Sequence, residues 1–382
     1  MATNVQRILP TDEARDLLDL VTELADRELA PRAAGFEARG EFPREVLRTL
    51  GRAGLLGLPY PEEHGGGAQP YEVYLQVLEI LASRWLVIAE AVSVHTLACY
   101  PVAAFGDAHL RARLPDMLGG ELLGAYCLSE PAGGSDAAAL ATRATRDGDD
   151  YVVHGTKAWI THAGYADFYN VFCRTGGPGA RGISCLLADA GTPGITPQKP
   201  ERTMGMRSSP VAQIAFDGAR VPADRLVGGE GVGFRIAMSA LDAGRLGIAA
   251  CAVGLAQAAL DYAVAYARER EQFGRRIAEF QGLGFLLADA ATQVAAARAL
   301  TLAAARLRDA GRPYSVEAAQ AKLFATDAAM RVTTDAVQVL GGYGYVADHP
   351  VERYLREAKA LQIVEGTNQI QRMVISRALT RG

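Results

Sequence analysis

The sequence has few residues that bind metals or form cross-links. Its five cysteines are widely spaced along 382 residues, they are odd in number, and none belongs to a C-x-x-C pair. This distribution predicts reduced thiols in an intracellular protein and no zinc site. His162 has no second His or Cys at ligand spacing, so we expect it at a surface or in a turn, and we expect no bound metal.

A dense basic stretch, a secretion signal and a long apolar run are also missing. The net charge of −4 and the pI of about 5.9 argue against nucleic acid and anionic membranes as partners. Residues 1–4 show neither the basic nor the apolar region of a secretion signal. The apolar run at residues 246–256 is far shorter than the roughly 20 residues that a membrane span needs. We therefore expect a cytoplasmic protein with no nucleic-acid or membrane partner.

The pattern along the chain changes twice. Apolar residues recur at helical spacing up to about residue 121, and the nearly apolar residues 87–105 should be buried. Short runs rich in β-branched and aromatic residues follow, separated by Gly, Pro and Asp, and no helix of useful length lies between them. Such strands favour antiparallel pairing. From about residue 229 the helical spacing returns, with helices predicted near 232–269, 279–310, 315–340, 350–361 and 368–379.

The predicted fold is therefore a multidomain α+β protein. An N-terminal helical domain covers 1–121, a central antiparallel, β-barrel-like domain covers 122–228, and a C-terminal four-helix bundle covers 229–382. A chain of 382 residues is too long for one small core, and 49% hydrophobic with 21% charged residues is ordinary for a soluble globular enzyme.

One carboxylate stands in an unusual setting. Glu365 follows the apolar residues 361–364 and precedes Gly366. A glycine lets another molecule approach the backbone closely, and partial exclusion of water would raise the pKa of the carboxyl group and suit it to proton abstraction. A helix-capping arrangement is the plainer interpretation of this segment alone.

Two segments could lie against a flat ligand. Residues 126–136 run from a strand into a glycine-rich loop, whose plainer interpretation is a tight turn. Residues 155–162 form a strand that carries Trp159 and Thr161; the tryptophan could line a planar cofactor or pack in a core.

Three further segments each have two interpretations. Asp242 and Arg245 share a helix face and form either an exposed salt bridge or a polar anchor at the edge of a pocket. Arg270 could hold a pyrophosphate with its planar guanidinium or remain in water. Gly341 and Gly342 end a helix as an ordinary C-cap or expose backbone to a ligand.

Taken in this order, the segments resemble the acyl-CoA dehydrogenases over nearly the whole length of the chain. The most specific matches are residues 128–136, 155–161, 270–274 and 365–372. The resemblance implies that FAD lies between the central domain and the C-terminal helices, usually in a homotetramer. It also implies oxidation of an acyl-CoA thioester to the trans-2-enoyl-CoA, with electron-transfer flavoprotein as the electron acceptor.

The resemblance implies a role for each matching residue. Glu365 would remove the α-proton, while the β-hydrogen leaves as hydride to flavin N5; the FAD ribityl 2′-hydroxyl and the Glu365 backbone N–H would polarise the thioester carbonyl. The flavin ring and ribityl chain would be lined by Tyr126, Leu128, Ser129, Ser135, Trp159, Ile160 and Thr161. Contacts to the CoA thioester would come from Ser135, Asp242, Arg245 and Gly366. Arg270 and Phe273 would reach the FAD pyrophosphate and adenine across a subunit interface, and further FAD contacts would come from Gln281, Gln338, Gly341, Gly342, Thr367 and Gln369.

Two positions refine the resemblance. Isovaleryl- and long-chain-type members carry the base immediately before the equivalent of Arg245, where this chain has Gly244. The base is therefore expected at Glu365, as in short-, medium- and branched-short-chain members. His162 stands where the family more often has Asn, and we expect it to alter a local hydrogen bond near the flavin.

Three other functions agree with the same residues. A flavin-dependent oxidase of the same fold would let the reduced flavin re-oxidise rapidly in air. A dehydrogenase of acyl-carrier-protein thioesters would not act on free acyl-CoA. A non-catalytic FAD-binding scaffold would show no bleaching of the flavin by acyl-CoA.

Overall fold

The computed structural model describes residues 5–380. Residues 1–4, on which the prediction of no secretion signal is based, lie outside the described residues, as do residues 381 and 382. The predicted domain boundaries fall in the connections that precede the first strand and the longest helix.

The N-terminal part is helical because its apolar residues repeat at helical spacing, and two of its helices also begin with a side-chain cap. The Thr11 hydroxyl, for example, accepts a hydrogen bond from the Ala14 N–H at 3.1 Å, which satisfies a free donor of the first turn. A π-helical turn, Ala25–Leu29, joins the first two helices. The helices are α1 Asp12–Leu24, α2 Ala30–Arg39, α3 Arg44–Arg52, α4 Tyr71–Arg84, α5 Leu86–Phe105, α6 Ala108–Arg111 and α7 Leu114–Leu118.

The central part is one eight-stranded sheet. Its strands are β1 Gly124–Cys127, β2 Arg143–Asp147, β3 Asp150–Thr161, β4 Phe168–Arg174, β5 Ile183–Asp189, β6 Ile195–Pro197, β7 Val211–Pro222 and β8 Leu226–Val227. They follow the order β6-β7-β3-β2-β4-β5-β8, with β1 beside β4.

The prediction of an antiparallel barrel was wrong in two respects. The sheet is mixed, because β4 pairs in parallel with β1 and with the first residue of β2. It is also not a closed barrel: β6 and β8 end the strand order and do not pair with each other. The parallel pairing arises because the long loop between β1 and β2 carries the chain along β4, so that β1 and the start of β2 lie one after the other on the same side of that strand.

The C-terminal part is helical, as predicted, and every observed helix begins and ends within two residues of its predicted bounds. The helices are α8 Gly233–Glu269, α9 Gln281–Asp309, α10 Ser315–Leu340, α11 Val351–Leu361 and α12 Asn368–Thr380. A small hairpin, β9 Glu271–Gln272 and β10 Arg275–Arg276, lies between α8 and α9.

The three parts meet around α5, which is buried along most of its length as predicted. It packs against α4 and α8 on one side and against β1 on the other. This packing places the end of β1, the middle of α8 and the α11–α12 connection around one interior region.

By length and composition alone, three helices within residues 5–380 could cross a membrane: α5, α8 and α9. The apolar run at residues 246–256 therefore underestimated the length of the apolar segment, because that run belongs to the 37-residue α8. The most apolar windows of α5 and α8 are 89% and 72% buried inside the protein, whereas that of α9 is only 17% buried. The apolar surface of α9 is therefore left open by this chain.

Candidate active site

Glu365 lies in the turn that connects α11 to α12. Its φ of 52° and the φ of 91° at Gly366 are both left-handed, a conformation that is strained for a residue with a side chain. Both carboxylate oxygens are buried, and neither has a hydrogen-bond partner among the described residues. Burial, followed by the nearby charge of Glu90, raises the pKa of Glu365 to about 8, while Lys322 and Arg245 oppose the rise.

Side chains of α10 and α12 hold this turn in place. The Lys322 ammonium donates to the Gly366 carbonyl at 3.0 Å and to Asn368 Oδ1 at 2.8 Å. The Gln371 amide donates to the same carbonyl at 2.7 Å. Burial lowers the pKa of Lys322 to about 7. The carboxylate is therefore fixed by its backbone, while its own oxygens remain available.

Helix α8 passes directly beside the carboxylate. A Cβ atom added to Gly244 would lie 2.0 Å from Glu365 Oε2, so only glycine fits there while Glu365 keeps this position. Asp242 and Arg245 form an ion pair at 2.5 Å. Because Arg245 is only 5% exposed, the interpretation as an exposed salt bridge was wrong. Buried Arg245 Nε has no partner among the described residues, which agrees with a polar anchor.

Strand β3 and the loop after β1 pack together and form a second wall of the candidate site. The Ala158 N–H donates to the Ser129 carbonyl at 2.9 Å, and the buried Lys157 ammonium bonds the Leu128 carbonyl and Glu130 at 3.0 and 2.8 Å. These contacts bring together the two segments that sequence analysis selected.

Trp159 lies in a β-bulge of this wall. The pairing of β3 with β7 shifts between Lys157 and Ile160, and Trp159 has a φ of 60°. A bulge re-aims the side chain that it carries, and the indole is 64% exposed here. Core packing of Trp159 is thereby excluded, and a large flat surface faces outward next to Ile160 and Thr161.

His162 lies in the turn after β3, which agrees with one of its two expected placements, but the residue is not at the surface. The ring is fully buried, its Nδ1 lies 2.9 Å from the Gly124 carbonyl, and it packs 5.5 Å from the Phe42 ring. Burial lowers the pKa of His162 to about 3, so the ring is neutral. Among the described residues, no group of three or more His, Cys, Asp or Glu side chains could hold a metal ion.

Six of the predicted FAD contacts form a separate exposed group at the far end of α8: Arg270, Phe273, Gln281, Gln338, Gly341 and Gly342. The Arg270 guanidinium lies 5.6 Å from the centroid of the Tyr343 ring, directly beyond Gly341 and Gly342. Phe273 and Gly274 form the tip of the β9–β10 hairpin with φ values of 53° and 75°. The Phe273 ring is 94% exposed. Gln281 and Gln338, at the first turn of α9 and the last turn of α10, are also exposed.

Three family profiles cover nearly all of the chain. The N-terminal, middle and C-terminal domains of acyl-CoA dehydrogenase match residues 11–121, 125–219 and 231–380. The chain belongs to the acyl-CoA dehydrogenase family. Its members are flavoproteins and oxidoreductases.

Individual relatives agree with this assignment. The chain is 43% identical over 375 residues to an acyl-CoA dehydrogenase of Bacillus subtilis. The alignment covers 97% of this chain and 99% of that protein. It is 40% identical over 374 residues to a short-chain-specific acyl-CoA dehydrogenase of Clostridium acetobutylicum, with the same coverage.

Solved structures agree as well. Butyryl-CoA dehydrogenase from Megasphaera elsdenii superposes with a TM-score of 0.96 at 40% identity, over 98% of this chain and 100% of that one. A chain from a structure of the electron-transferring flavoprotein system of Acidaminococcus fermentans superposes with a TM-score of 0.96 at 42% identity, over 99% of this chain and 100% of that one. The prolyl acyl carrier protein oxidase AnaB superposes with a TM-score of 0.94 at 28% identity, over 97% of this chain and 100% of that one.

A cleft lies next to the Glu365 turn in this acyl-CoA dehydrogenase, although Glu365 itself is not among the residues that line it. Its empty space, including the part open to solvent, is about 290 Å³. It reaches Gly244, the residue in contact with Glu365 Oε2, and extends between α4, α5, α8 and α9. Its lining includes Tyr71, Ser93, Leu97, Tyr100 and Arg308.

Sequence reasoning missed two charged residues of the site. Lys322 lies in the alanine-rich α10 and Glu90 in the apolar α5, and both side chains are almost fully buried. For Glu90 the available signal was a single acid within an apolar helix, because a buried charge needs a partner or a function. Lys322 is one of five charged residues in α10 and gave no such signal. The sequence does not reveal which other element supplies that partner.

Proposed function

We propose that this protein is an FAD-dependent dehydrogenase that converts an acyl-CoA thioester to the trans-2-enoyl-CoA, with Glu365 as the base. The observation that carries the proposal is the Glu365 carboxylate, whose two oxygens are buried, unpaired among the described residues and held beside a cleft by a clamped turn. A carboxylate withheld from water is a stronger base, and fixed geometry favours attack on one hydrogen.

The residues of this chain fit FAD. Trp159 and the Ser129 and Thr161 hydroxyls lie on one wall and suit a flat ring with a hydroxylated chain, together with Tyr126, Leu128, Ser135, Ile160, Thr367 and Gln369. Arg270 suits a pyrophosphate, with Phe273, Gln281, Gln338, Gly341 and Gly342 around the adenine half. Added Cβ atoms at Gly341 and Gly342 would meet nothing within 4 Å, which leaves room for a ligand. When bound, FAD accepts the β-hydrogen with its electron pair.

The chain's own residues then have distinct tasks. Glu365 takes the α-proton, so that the Cα–Cβ single bond becomes a double bond as both hydrogens leave. The Glu365 backbone N–H polarises the thioester carbonyl, which stabilises the developing negative charge. Gly366 borders the thioester, while Asp242, Arg245 and Ser135 contact the CoA part.

The exposed group at the far end of α8 supports a homotetramer. The most apolar window of α9 is 17% buried, and Phe273 is 94% exposed. Large exposed apolar surfaces mark interaction sites. In the proposed assembly, Arg270 and Phe273 contact the FAD of a neighbouring subunit. The proposed electron acceptor is electron-transfer flavoprotein, for which the Acidaminococcus fermentans structure is the support. We also propose a cytoplasmic location, supported by five buried, unpaired cysteines.

Glu365→Gln tests the base. We expect the variant to bind FAD normally but to lose flavin reduction by acyl-CoA by more than about 10²–10⁴-fold, measured by anaerobic titration with a panel of acyl-CoA thioesters. Glu357→Gln is the matched control, because Glu357 is also a buried carboxyl group but lies on α11 beside Arg353. Near-normal flavin reduction in Glu365→Gln would overturn the base assignment.

The similarity to a prolyl acyl carrier protein oxidase favours one second candidate, a carrier-protein thioester as substrate. Activity on the carrier-bound acyl group together with none on free acyl-CoA would select this candidate. An oxidase is distinguished in the same experiment by admitting air and following re-oxidation of the flavin.

A further inference from the structure

The second half of β3 has a strand neighbour on one side only. Strand β7 pairs with β3 as far as Thr161, whereas β2 pairs only with residues 150–154 of β3. From residue 155 onward, the edge of β3 opposite β7 therefore has no strand partner within the described part of the chain. Side-chain contacts to the neighbouring segment, residues 124–130 of β1 and its following loop, take the place of a strand.

Lys157 makes the first of these contacts. Its fully buried ammonium donates to the Leu128 carbonyl at 3.0 Å and to Glu130 Oε1 at 2.8 Å. Glu130 is itself held by the backbone N–H groups of Ala141 and Thr142, at 2.6 and 2.9 Å. A buried ion pair stabilises a structure only when further hydrogen bonds satisfy its charges, and the backbone supplies them to Glu130. Lys157 is thus tied to one place on the loop after β1.

His162 makes the second contact, directly after the end of β3. Its Nδ1 lies 2.9 Å from the Gly124 carbonyl oxygen. Because a carbonyl oxygen only accepts, Nδ1 carries the hydrogen and donates it. The Gly124 N–H donates in turn to His95 Nδ1 at 3.0 Å, and an added Cβ on Gly124 would lie 2.7 Å from Ala98 on α5. The point to which His162 attaches is therefore itself fixed against α5.

The bulge that carries Trp159 lies between these two contacts. The pairing with β7 leaves residues 158 and 159 opposite the single residue 213. The left-handed φ of 60° at Trp159 requires enforcement by the surrounding structure. Both contacts join β3 to the same segment, residues 124–130, so the bulge is fixed at both ends to one neighbour.

We propose that Lys157 and His162 are positioning residues, which hold the Trp159 bulge so that the indole faces the ring of the bound flavin. The inference rests on the proposed FAD site. Both side chains are fully buried, so they act on the cofactor through the bulge and not by contact. Lys157 acts through a charged group and His162 through a neutral ring. Hydrogen bonds from charged groups are the stronger ones, so the loss of Lys157 should weaken FAD binding more.

The affinity of the holoenzyme for FAD tests the proposal. Flavin emission that appears on dilution measures FAD release, and the ratio of flavin to protein absorbance measures occupancy. We expect Lys157→Met to weaken FAD binding by about 10–100-fold and His162→Leu by about 2–10-fold. Because both changes release the same bulge, the double variant should bind FAD about as weakly as Lys157→Met. Effects that multiply would mean independent contributions and would contradict the shared bulge.

His162→Asn separates hydrogen bonding from packing. The amide nitrogen of asparagine is attached to Cγ, as is Nδ1 of histidine, so it can donate to the same Gly124 carbonyl. We expect this variant to keep its FAD affinity within about twofold of the wild type, because the hydrogen bond is retained. FAD binding as weak as in His162→Leu would show that His162 only fills space beside Phe42, and it would overturn the proposal.

Tryptophan emission reports the bulge directly, because the chain has only two tryptophans, the buried Trp85 and the exposed Trp159. A flavin ring against an indole quenches the indole emission. Trp159→Phe assigns the emission of Trp85 in the holoenzyme. In Lys157→Met saturated with FAD, the Trp159 emission should reappear. Quenching as complete as in the wild type would contradict the positioning role.

His154→Leu and Arg220→Met are matched controls. His154 Nδ1, on β3, accepts from the Gly218 N–H at 3.2 Å, and Arg220 donates to Asp147 at 2.9 Å. Both side chains are exposed and make no hydrogen bond to residues 124–130 within the described chain. Both variants should keep wild-type FAD affinity. An equal loss in the controls would contradict the proposal, because it would trace to the sheet as a whole.

The two His162 variants keep the proposal testable if Lys157→Met does not fold. A folded His162→Leu variant with wild-type FAD affinity would overturn it. Failure of the proposed reaction is distinguishable, because it would appear as an absence of flavin bleaching by acyl-CoA in the wild type, whatever the FAD affinities of the variants.

Discussion

The same backbone conformation occurs at Glu365-Gly366 and at Phe273-Gly274, with opposite surroundings. Both pairs have two successive left-handed residues, the first of them carrying a side chain. The Glu365 pair is clamped by Lys322 and Gln371, and its carboxylate oxygens are buried. The Phe273 pair projects at the tip of a two-residue hairpin with its ring 94% exposed.

One chain alone fixes and buries the Glu365 side chain, whereas it leaves the Phe273 ring exposed. A non-glycine residue in the left-handed conformation destabilises the fold by about 1–3 kcal/mol, and it keeps that conformation only where the surrounding structure enforces it. At Glu365 the surroundings are hydrogen bonds from α10 and α12. At Phe273 the hairpin fixes the backbone, since a two-residue turn of this kind needs positive φ at both positions, and nothing described in this chain covers the ring.

Among the changes that test this comparison, the largest expected effect is that of Gly244→Ala, which disturbs the clamped pair. The added Cβ would lie 2.0 Å from Glu365 Oε2, so the carboxylate must move. Misplacement of a catalytic group by about 1 Å costs on the order of 10²-fold. We expect that loss in the rate of anaerobic flavin reduction, with FAD still bound. Gly191→Ala, where an added Cβ meets nothing within 4 Å, should react normally; an unchanged rate in Gly244→Ala would mean that the base does not use this position.

Phe273→Ala addresses the exposed pair. Burial of a phenylalanine side chain contributes about 1.5–3 kcal/mol, so we expect FAD to bind at least about tenfold more weakly, with a smaller fraction of tetramer. Fluorescence titration of the apoprotein with FAD and size-exclusion chromatography measure the two effects. Ile8→Ser removes a similarly exposed side chain, 75% accessible, and should change neither. Wild-type FAD affinity and assembly in Phe273→Ala would argue against a partner at this tip.

The smallest expected effect concerns stability and pH. Burial raises the pKa of Glu365 from 4.5 to about 8, so the folded protein binds more protons than the unfolded chain in this window, and stability falls as pH rises through it. Glu365→Gln removes that contribution. The shift corresponds to about 4 kcal/mol at pH 8, and about 1 kcal/mol changes the melting temperature of a chain of this length by about 1 °C, so we expect the variant to melt a few degrees above the wild type at pH 8. The difference should vanish near pH 4, and a constant difference at all pH values would contradict the buried charge.

Local patterns were sufficient for much of this architecture. The C-terminal helices were predictable because apolar spacing and end signals are local. The segment around Glu365 taken alone favoured a helix cap, and the residue was identified as the base through the resemblance of the whole chain to a family. The mixed strand order was not predictable because it depends on where a long loop carries the chain. The burial of His162 was not predictable because its contacts, Gly124 and Phe42, are distant in the sequence. Glu90 and Lys322 escaped for the same reason, since a buried charge is explained by partners distant in the sequence.

The contact between Gly244 and Glu365 also bears on how such enzymes diversify. Two segments separated by more than a hundred residues of sequence reach one small volume, and that volume holds a single acidic side chain. In a descendant that carries the acid on α8, the side chain at position 365 must first become smaller, because an intermediate with both side chains would be overcrowded. The two positions are therefore expected to change in concert, so that the acid keeps its location in space while its place in the sequence moves.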